Sequence, residues 1–233
     1  METIRYERRG ELGYLNMDDG KANAMDKAFF SALNRALDAA QADGPKALVV
    51  AGRTGFFSGG LNVKTLPGLG PQALHALHRD FAATMARVFL FPVPTVAACT
   101  GHAIAGGLIL ALACDLRFAL DGDFRLQMNE VHIGIALPSW VLAITQPAIP
   151  PRRRVEILLH GKPFLPGEAV SAGFFDGCVD GAGDVVAHAA QAALRLGSLN
   201  PEAYALSKLR MHGPAMERAM SLLSQEPIPG EAP

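Results

Sequence analysis

Charge is missing from the middle of this 233-residue chain: between Arg87 and Asp115 there is no Asp, Glu, Lys or Arg. Pro92, Pro94, Gly101 and the Gly106–Gly107 pair interrupt that run, so it reads as a buried strand, a turn and a short buried helix, not a membrane span. Cysteine is sparse too. Cys99, Cys114 and Cys178 lack metal-ligand spacing, which argues against a disulfide framework or a structural zinc and leaves reduced core residues. The only tight basic cluster is Arg152–Arg154, read as a solvated helix start; with a formal net charge of -1, no basic stripe invites nucleic acid or an anionic membrane surface. The opening METIRYERRGELGYL carries charges where an export leader needs an apolar segment, so the expected location is cytoplasmic. The closing SQEPIPGEAP is too polar and proline-rich to pack and is read as disordered.

Apolar residues, by contrast, make up 50% of the chain, enough for one full core with a helical appendage. Residues 2–8 and 11–17, parted by Gly10, form a hairpin pattern. Helical spacing runs from Lys27 to Ala40 behind Asp26 as N-cap, and KALVVAG at 46–52 is a buried strand. Residues 53–68 are left as an apolar, glycine-rich loop of the kind that carries function. A helix over 71–90, a strand over 94–99, strands over 115–120 and 124–128, and a loop over 129–137 follow. Helices are then expected over 139–148, 152–159, 166–172, 182–196 and 201–212. The division is an α/β core over 1–150 and a helical region over 151–233.

The chain is organised around TGHAIAGGLILALACD at 100–115, where a strand enters, two glycines turn it and an apolar helix leaves. The first amides of such a helix have no internal acceptor and sit at the positive end of its dipole, which favours an anion or a developing oxyanion. Taken alone, the stretch equally describes a core helix with a close glycine contact.

Three segments in order resemble the enoyl-CoA hydratase/isomerase (crotonase) superfamily over about residues 1–212. KANAMD at 21–26 is similar to the loop that holds the nucleotide end of coenzyme A, FFSGGLNVK at 56–64 to the first oxyanion loop, and GHAIAGGLILALACDLR at 101–117 to the second. The resemblance implies a crotonase-like α/β spiral of ββα units with a helical C-terminal trimerisation region. It implies oxyanion donors at the backbone N–H groups of Leu61 and Gly106, and coenzyme A contacts at Lys21, Ala22, Ala24, Gly60, Leu61 and Lys64. An acyl-CoA substrate, a homotrimer or dimer of trimers, and no metal or separate cofactor complete the expectation.

Hydratases of the family use two glutamates. The first position is here Ile109, a turn beyond Gly106 on the same helix face, and the second is Glu130 in LQMNEVHIGIALP. That segment, with Trp140 after its proline, is more similar to the mitochondrial-type Δ3,Δ2-enoyl-CoA isomerases. One carboxylate serves an isomerase, whereas hydration also needs an acceptor to position water. The alternatives are a hydratase, a dienoyl-CoA isomerase, a decarboxylase or a non-catalytic acyl-CoA-binding protein. Without the resemblance, Glu130 would pass for a capping residue and Lys21 and Lys64 for surface charges. Apolar neighbours Met128, Val131, Ile133 and Ile135 are expected to raise the pKa of Glu130. Gly59 and Asn62 replace the family's usual Ala and Asp, which leaves the packing of the first oxyanion loop open. The last helices are expected to be shortened beyond His212.

Overall fold

The computed structural model describes residues 3–63, 65–181 and 183–226. β1 (Ile4–Arg9) and β2 (Leu12–Met17) pair antiparallel around Gly10, whose φ of 59° makes the tight turn. β3 (Ala47–Ala51), β5 (Thr95–Cys99), β7 (Leu116–Leu120) and β9 (Gly177–Val179) extend the sheet in parallel, in the order β1-β2-β3-β5-β7-β9. β3 and β5 are buried at every position because both faces are covered, and Thr95 is the one polar residue among them. Leu48, Val50, Ala97 and Cys99 join the main core. The alternating Val49, Ala51, Val96 and Ala98 face a second cluster with Ala189, Ala192 and Ala193 of α6 (Val185–Gly197).

A second, three-stranded parallel sheet, β4-β6-β8, lies outside the first. The chain alternates between the two. β3 leads to β4 (Gly55–Ser58) and α2 (Pro71–Phe89), β5 to β6 (Gly101–Ile104) and α3 (Gly106–Ala113), and β7 to β8 (Leu126–Gln127) and α4 (Ser139–Ala148). These are the ββα turns of the expected crotonase spiral. β4 is a strand within the segment expected as a loop over 53–68, and β6 is a second strand between the expected strand over 94–99 and the glycine turn; each is four residues long and begins at a glycine. The pairing requires glycine at 101, since a Cβ there would stand 2.0 Å from the carbonyl carbon of Gly55, whereas Gly55 is favoured by its φ of 87°.

Local signals account for the helix before the spiral. In α1 (Lys27–Asp43), Asp26 Oδ1 accepts from Phe29 N at 2.9 Å, and Gly44 closes the end at φ 59°. Elsewhere tertiary packing overrides the pattern. The helix expected over 152–159 is a 3-10 turn at Pro151–Arg153 followed by a π-type turn at Val155–Leu159, with His160 N donating to Val155 O. α5 (Pro166–Ser171) follows, and then β9, which was not foreseen. α6 begins at Val185, where Asp184 caps it, rather than at 182, and Ala182 lies outside the described residues.

α7 (Pro201–Leu222) runs past His212 and through Pro214. A proline inside a helix costs about 3 kcal/mol. Burial of Met216 and Ala219, with Met220 and Leu223 packed on the core, offsets that cost and carries the helix two more turns along α4. Its other half is fastened by Lys208, 5% exposed, whose Nζ lies 2.7 Å from Asp115 Oδ2, while the same oxygen accepts from Thr95 N. Of the tail read as disordered, 224–226 form a turn and 227–233 lie outside the described residues. Among the described residues no helix is long and apolar enough to cross a membrane.

Candidate active site

The ends of the small sheet build the site. The loops leaving β4, β6 and β8 carry Leu61, Gly106 and Glu130 respectively, so three parallel strands deliver three groups to one edge, where ligands commonly lie in parallel sheets. All three border one mainly apolar cavity of about 220 Å³, together with Ile104, Ile109, Phe81, Asn129, Trp140 and Val141.

The two oxyanion loops lie backbone against backbone. A Cβ on Gly60, whose φ is 81°, would stand 2.7 Å from Ile104 O and 3.0 Å from Gly106 N, and one on Gly107 would stand 2.1 Å from Ser58 O. Glycine is required at both points. Ala105 sits at φ 50° and ψ -121°, an uncommon conformation for alanine, and starts α3 by accepting from Ile109 N. As the first residue of α3, Gly106 has an N–H that no carbonyl of its own helix can reach. Among the described residues, no backbone carbonyl accepts the N–H of Leu61 or Gly106, while Gly60 O and Asn62 N on either side of Leu61 are tied to Met25. Both donors are free for an oxygen in the cavity.

Glu130 is 8% exposed, and burial pushes its carboxyl up to about 7, with its own backbone N–H lowering it in part. The burial does not come from all the sequence neighbours expected. Val131, 40% exposed, and Met128, in the core, do not border the cavity; Ile133, though 53% exposed, lines it together with Ile135, and Leu61, Ile104, Ile109 and Trp140 complete the apolar surroundings. Ile133 N and Ile135 N both donate to Glu130 O, which holds its backbone. Among the described residues, Glu130 Oε2, Asn129 Oδ1 and Trp140 Nε1 are buried without a hydrogen-bond partner. Ile109, 1% exposed, faces the cavity beside Gly106, as the one-turn spacing predicts.

Lys21, Ala22, Ala24, Gly60 and Leu61 line an adjoining groove of about 560 Å³ that shares Gly59, Leu61 and Val63 with the cavity. Lys64 lies outside the described residues. The groove also holds Asp19 and Asp26, whose carboxylates are occupied by the backbone N–H groups of Lys21, Asn23, Ala24 and Phe29. Sequence reasoning missed Asn23. It is 1% exposed at φ 48°, donates through Nδ2 to Met17 O and Phe57 O, and presents its carbonyl to Ser58 Oγ at 2.7 Å. It ties the groove loop to the first oxyanion loop. The available signal was the residue type, since asparagine tolerates left-handed backbone. At Gly59, an added Cβ would meet only ordinary contacts with Ala22, at 3.5 and 3.6 Å, so its departure from the family pattern leaves this packing intact. Among the described residues no group of three or more His, Cys, Asp or Glu could hold a metal.

The family model described as enoyl-CoA hydratase/isomerase matches residues 7–226. Enoyl-CoA delta isomerase 3 of Arabidopsis thaliana is 30% identical over 176 residues, covering 73% of this chain and 74% of that one. A probable enoyl-CoA hydratase of Bacillus subtilis (strain 168) is 28% identical over 197 residues, covering 83% and 76%. Among solved structures, an enoyl-CoA isomerase of Mycobacterium tuberculosis superposes with a TM-score of 0.89 at 33% identity, covering 97% of this chain and 99% of that one.

Proposed function

The chain belongs to the enoyl-CoA hydratase/isomerase family, and from that premise we propose that it is a Δ3,Δ2-enoyl-CoA isomerase. The observation that carries this reading is the single buried carboxylate, Glu130, in a cavity with two unengaged amide donors and an isoleucine at position 109. On this reading coenzyme A lies along the groove lined by Lys21, Ala22, Ala24 and Gly60, and the thioester oxygen accepts from Leu61 N and Gly106 N. Glu130 removes a proton from C2 of a 3-enoyl-CoA. Charge passes to the thioester oxygen as an enolate, and the same carboxyl group returns the proton to C4 as the double bond moves to C2. Each amide donor of this kind is worth about 2.7–4 kcal/mol in another enzyme class, because charge grows on an oxygen it already faces.

Ile109 offers nothing to hold a nucleophilic water. Purified protein is therefore expected to convert trans-3-hexenoyl-CoA and to hydrate crotonyl-CoA at least about 10²-fold more slowly, the lower range for loss of one acid/base group. Comparable rates would sink the isomerase reading. Hydration is the second reading because Asn129 Oδ1, buried and without a partner, is an acceptor on the same cavity wall. Since the base must be ionised, kcat/KM is expected to rise with pH and level off above about 7. A profile flat from pH 5 to 9 would assign the proton transfer to another group.

The reading extends to fatty-acid oxidation in a cytoplasmic homotrimer or dimer of trimers. Leu206, Leu209 and Met211, exposed on one stretch of α7, support a subunit contact.

A further inference from the structure

The carboxylate of Glu226, 87 residues away in sequence, reaches the start of α4. Its two oxygens accept from Ser139 N at 3.1 and 3.0 Å, and Ser139 Oγ–H also donates to it. Ser139 is the first residue of α4, and Pro138 before it provides no side-chain cap. Glu226 thus supplies from outside the helix the acceptor and the negative charge that its N-terminus otherwise lacks. The adjacent approach is built for it, since α7 packs along α4 and buries Met216 and Ala219 in the same core.

What the first turn of α4 carries makes this cap more than a local stabiliser. Pro138, Trp140 and Val141 all border the catalytic cavity. Trp140 is 1% exposed and meets Phe81 edge-on, with centroids 4.8 Å apart at 73°, and Phe81 stacks on Phe30 at 5.1 Å. A shift of the first turn would move the indole against a ring that is itself buried and stacked on Phe30. At about 220 Å³ the cavity is smaller than most small-molecule sites, so small displacements of this wall change which acyl groups fit.

We propose that Glu226 is a positioning residue for acyl-chain selection: by holding Ser139 it fixes the Trp140 wall and makes the cavity favour short over long acyl groups. The proposal rests on reading that cavity as the acyl site, but not on the reaction performed there.

Trp140 is the only tryptophan, so its emission reports the wall directly. The test titrates the full chain and its Glu226→Ala, Glu226→Gln and Ser139→Ala variants with hexanoyl-CoA and dodecanoyl-CoA, saturated ligands that need no turnover. In Glu226→Ala the preference for hexanoyl-CoA is expected to fall by roughly fivefold, the effect of losing an N-cap, with emission shifted to the red. Glu226→Gln, which keeps one acceptor for Ser139 N, and Ser139→Ala, which keeps the N–H, should fall between Glu226→Ala and the parent. If Glu226→Ala does not fold, those two variants carry both readouts. A lower melting temperature with unchanged emission and unchanged chain-length preference would reduce Glu226 to a stabilising cap and overturn the proposal, as would failure of the parent to bind either ligand. A parent that binds both but isomerises nothing would instead overturn the isomerase reading alone.

Discussion

Glu130→Gln is expected to lose about 10²–10⁴-fold in kcat for isomerisation of trans-3-hexenoyl-CoA and, at pH 8, to melt at a higher temperature than the parent. Both effects have one cause. The cavity excludes water from the carboxyl group, which makes the carboxylate a stronger base and makes its ionisation costly to the fold. The folded-state pKa, about 7, lies above the ordinary 4.5, so the folded chain holds this proton more tightly than the unfolded chain does. The associated stability is fully present below pH 4.5 and is lost as pH rises through about 7. At 1.36 kcal/mol per pH unit, the separation corresponds to about 3 kcal/mol. The neutral amide escapes that loss, so its advantage should be near zero at pH 4.5 and grow to roughly 5–10 °C at pH 8 for a chain of this length. Thermal melts at the two pH values, alongside the assay, check both halves. Activity within tenfold of the parent would remove Glu130 from the mechanism; a melting difference that does not widen with pH would mean the carboxyl group is solvated in the folded chain.

Gly60→Ala is expected to lower kcat by about 10²-fold while binding saturated hexanoyl-CoA within a few-fold of the parent. The added methyl faces Ile104 O at 2.7 Å and Gly106 N at 3.0 Å, both backbone atoms, and alanine at a φ of 81° adds about 1–2 kcal/mol of strain. Relief is available only by parting the two oxyanion loops, which moves the N–H of Leu61 away from that of Gly106. An enolate oxygen needs both donors in place as its charge develops, whereas the ground-state thioester depends on them less. Gly59→Ala is the matched comparison: its methyl would meet Ala22 at an ordinary 3.5 Å, and a much smaller loss is expected. Stopped-time assays and fluorescence titrations of the two variants separate the cases. Equal losses would mean that loop chemistry, not the spacing of the donors, sets the rate.

The sequence legibly encodes the elements whose stability is local. Asp26 opens α1 as its spacing predicts, although the helix runs three residues past Ala40 to its cap at Gly44, the hairpin on either side of Gly10 is β1 and β2, and the helix predicted over 139–148 is α4 to the residue. Glu130 was marked by the family resemblance of the segment around it, its residue type alone being that of a cap, and one-turn spacing put Ile109 beside Gly106. β4 and β6 were not legible because GFFS and GHAI are too short and glycine-rich to favour a strand by themselves; β4 is a strand because β6 lies beside it, 46 residues on at Gly55 and Gly101, and β6 because it is held between β4 and β8. α7 past Pro214 is the same kind of case, a helix continued against its own propensity by the surface it covers.

The chemistry of the site divides along the same line. Which groups are available was determined by the sequence alone: one carboxyl group at 130, an isoleucine where a second could stand, and glycines at 60, 106 and 107. Where those groups meet was decided only by tertiary structure. The small sheet turns three distant loops into one edge, the bare glycine backbones bring two amides to the same cavity, and residues remote in sequence, Leu61, Ile104, Ile109 and Trp140, join the nearby Ile133 and Ile135 in shutting out the water that would otherwise keep Glu130 an ordinary acid. Ionisation and hydrogen bonding depend on the dielectric and direction of what surrounds a group, and those exist only once the chain is folded.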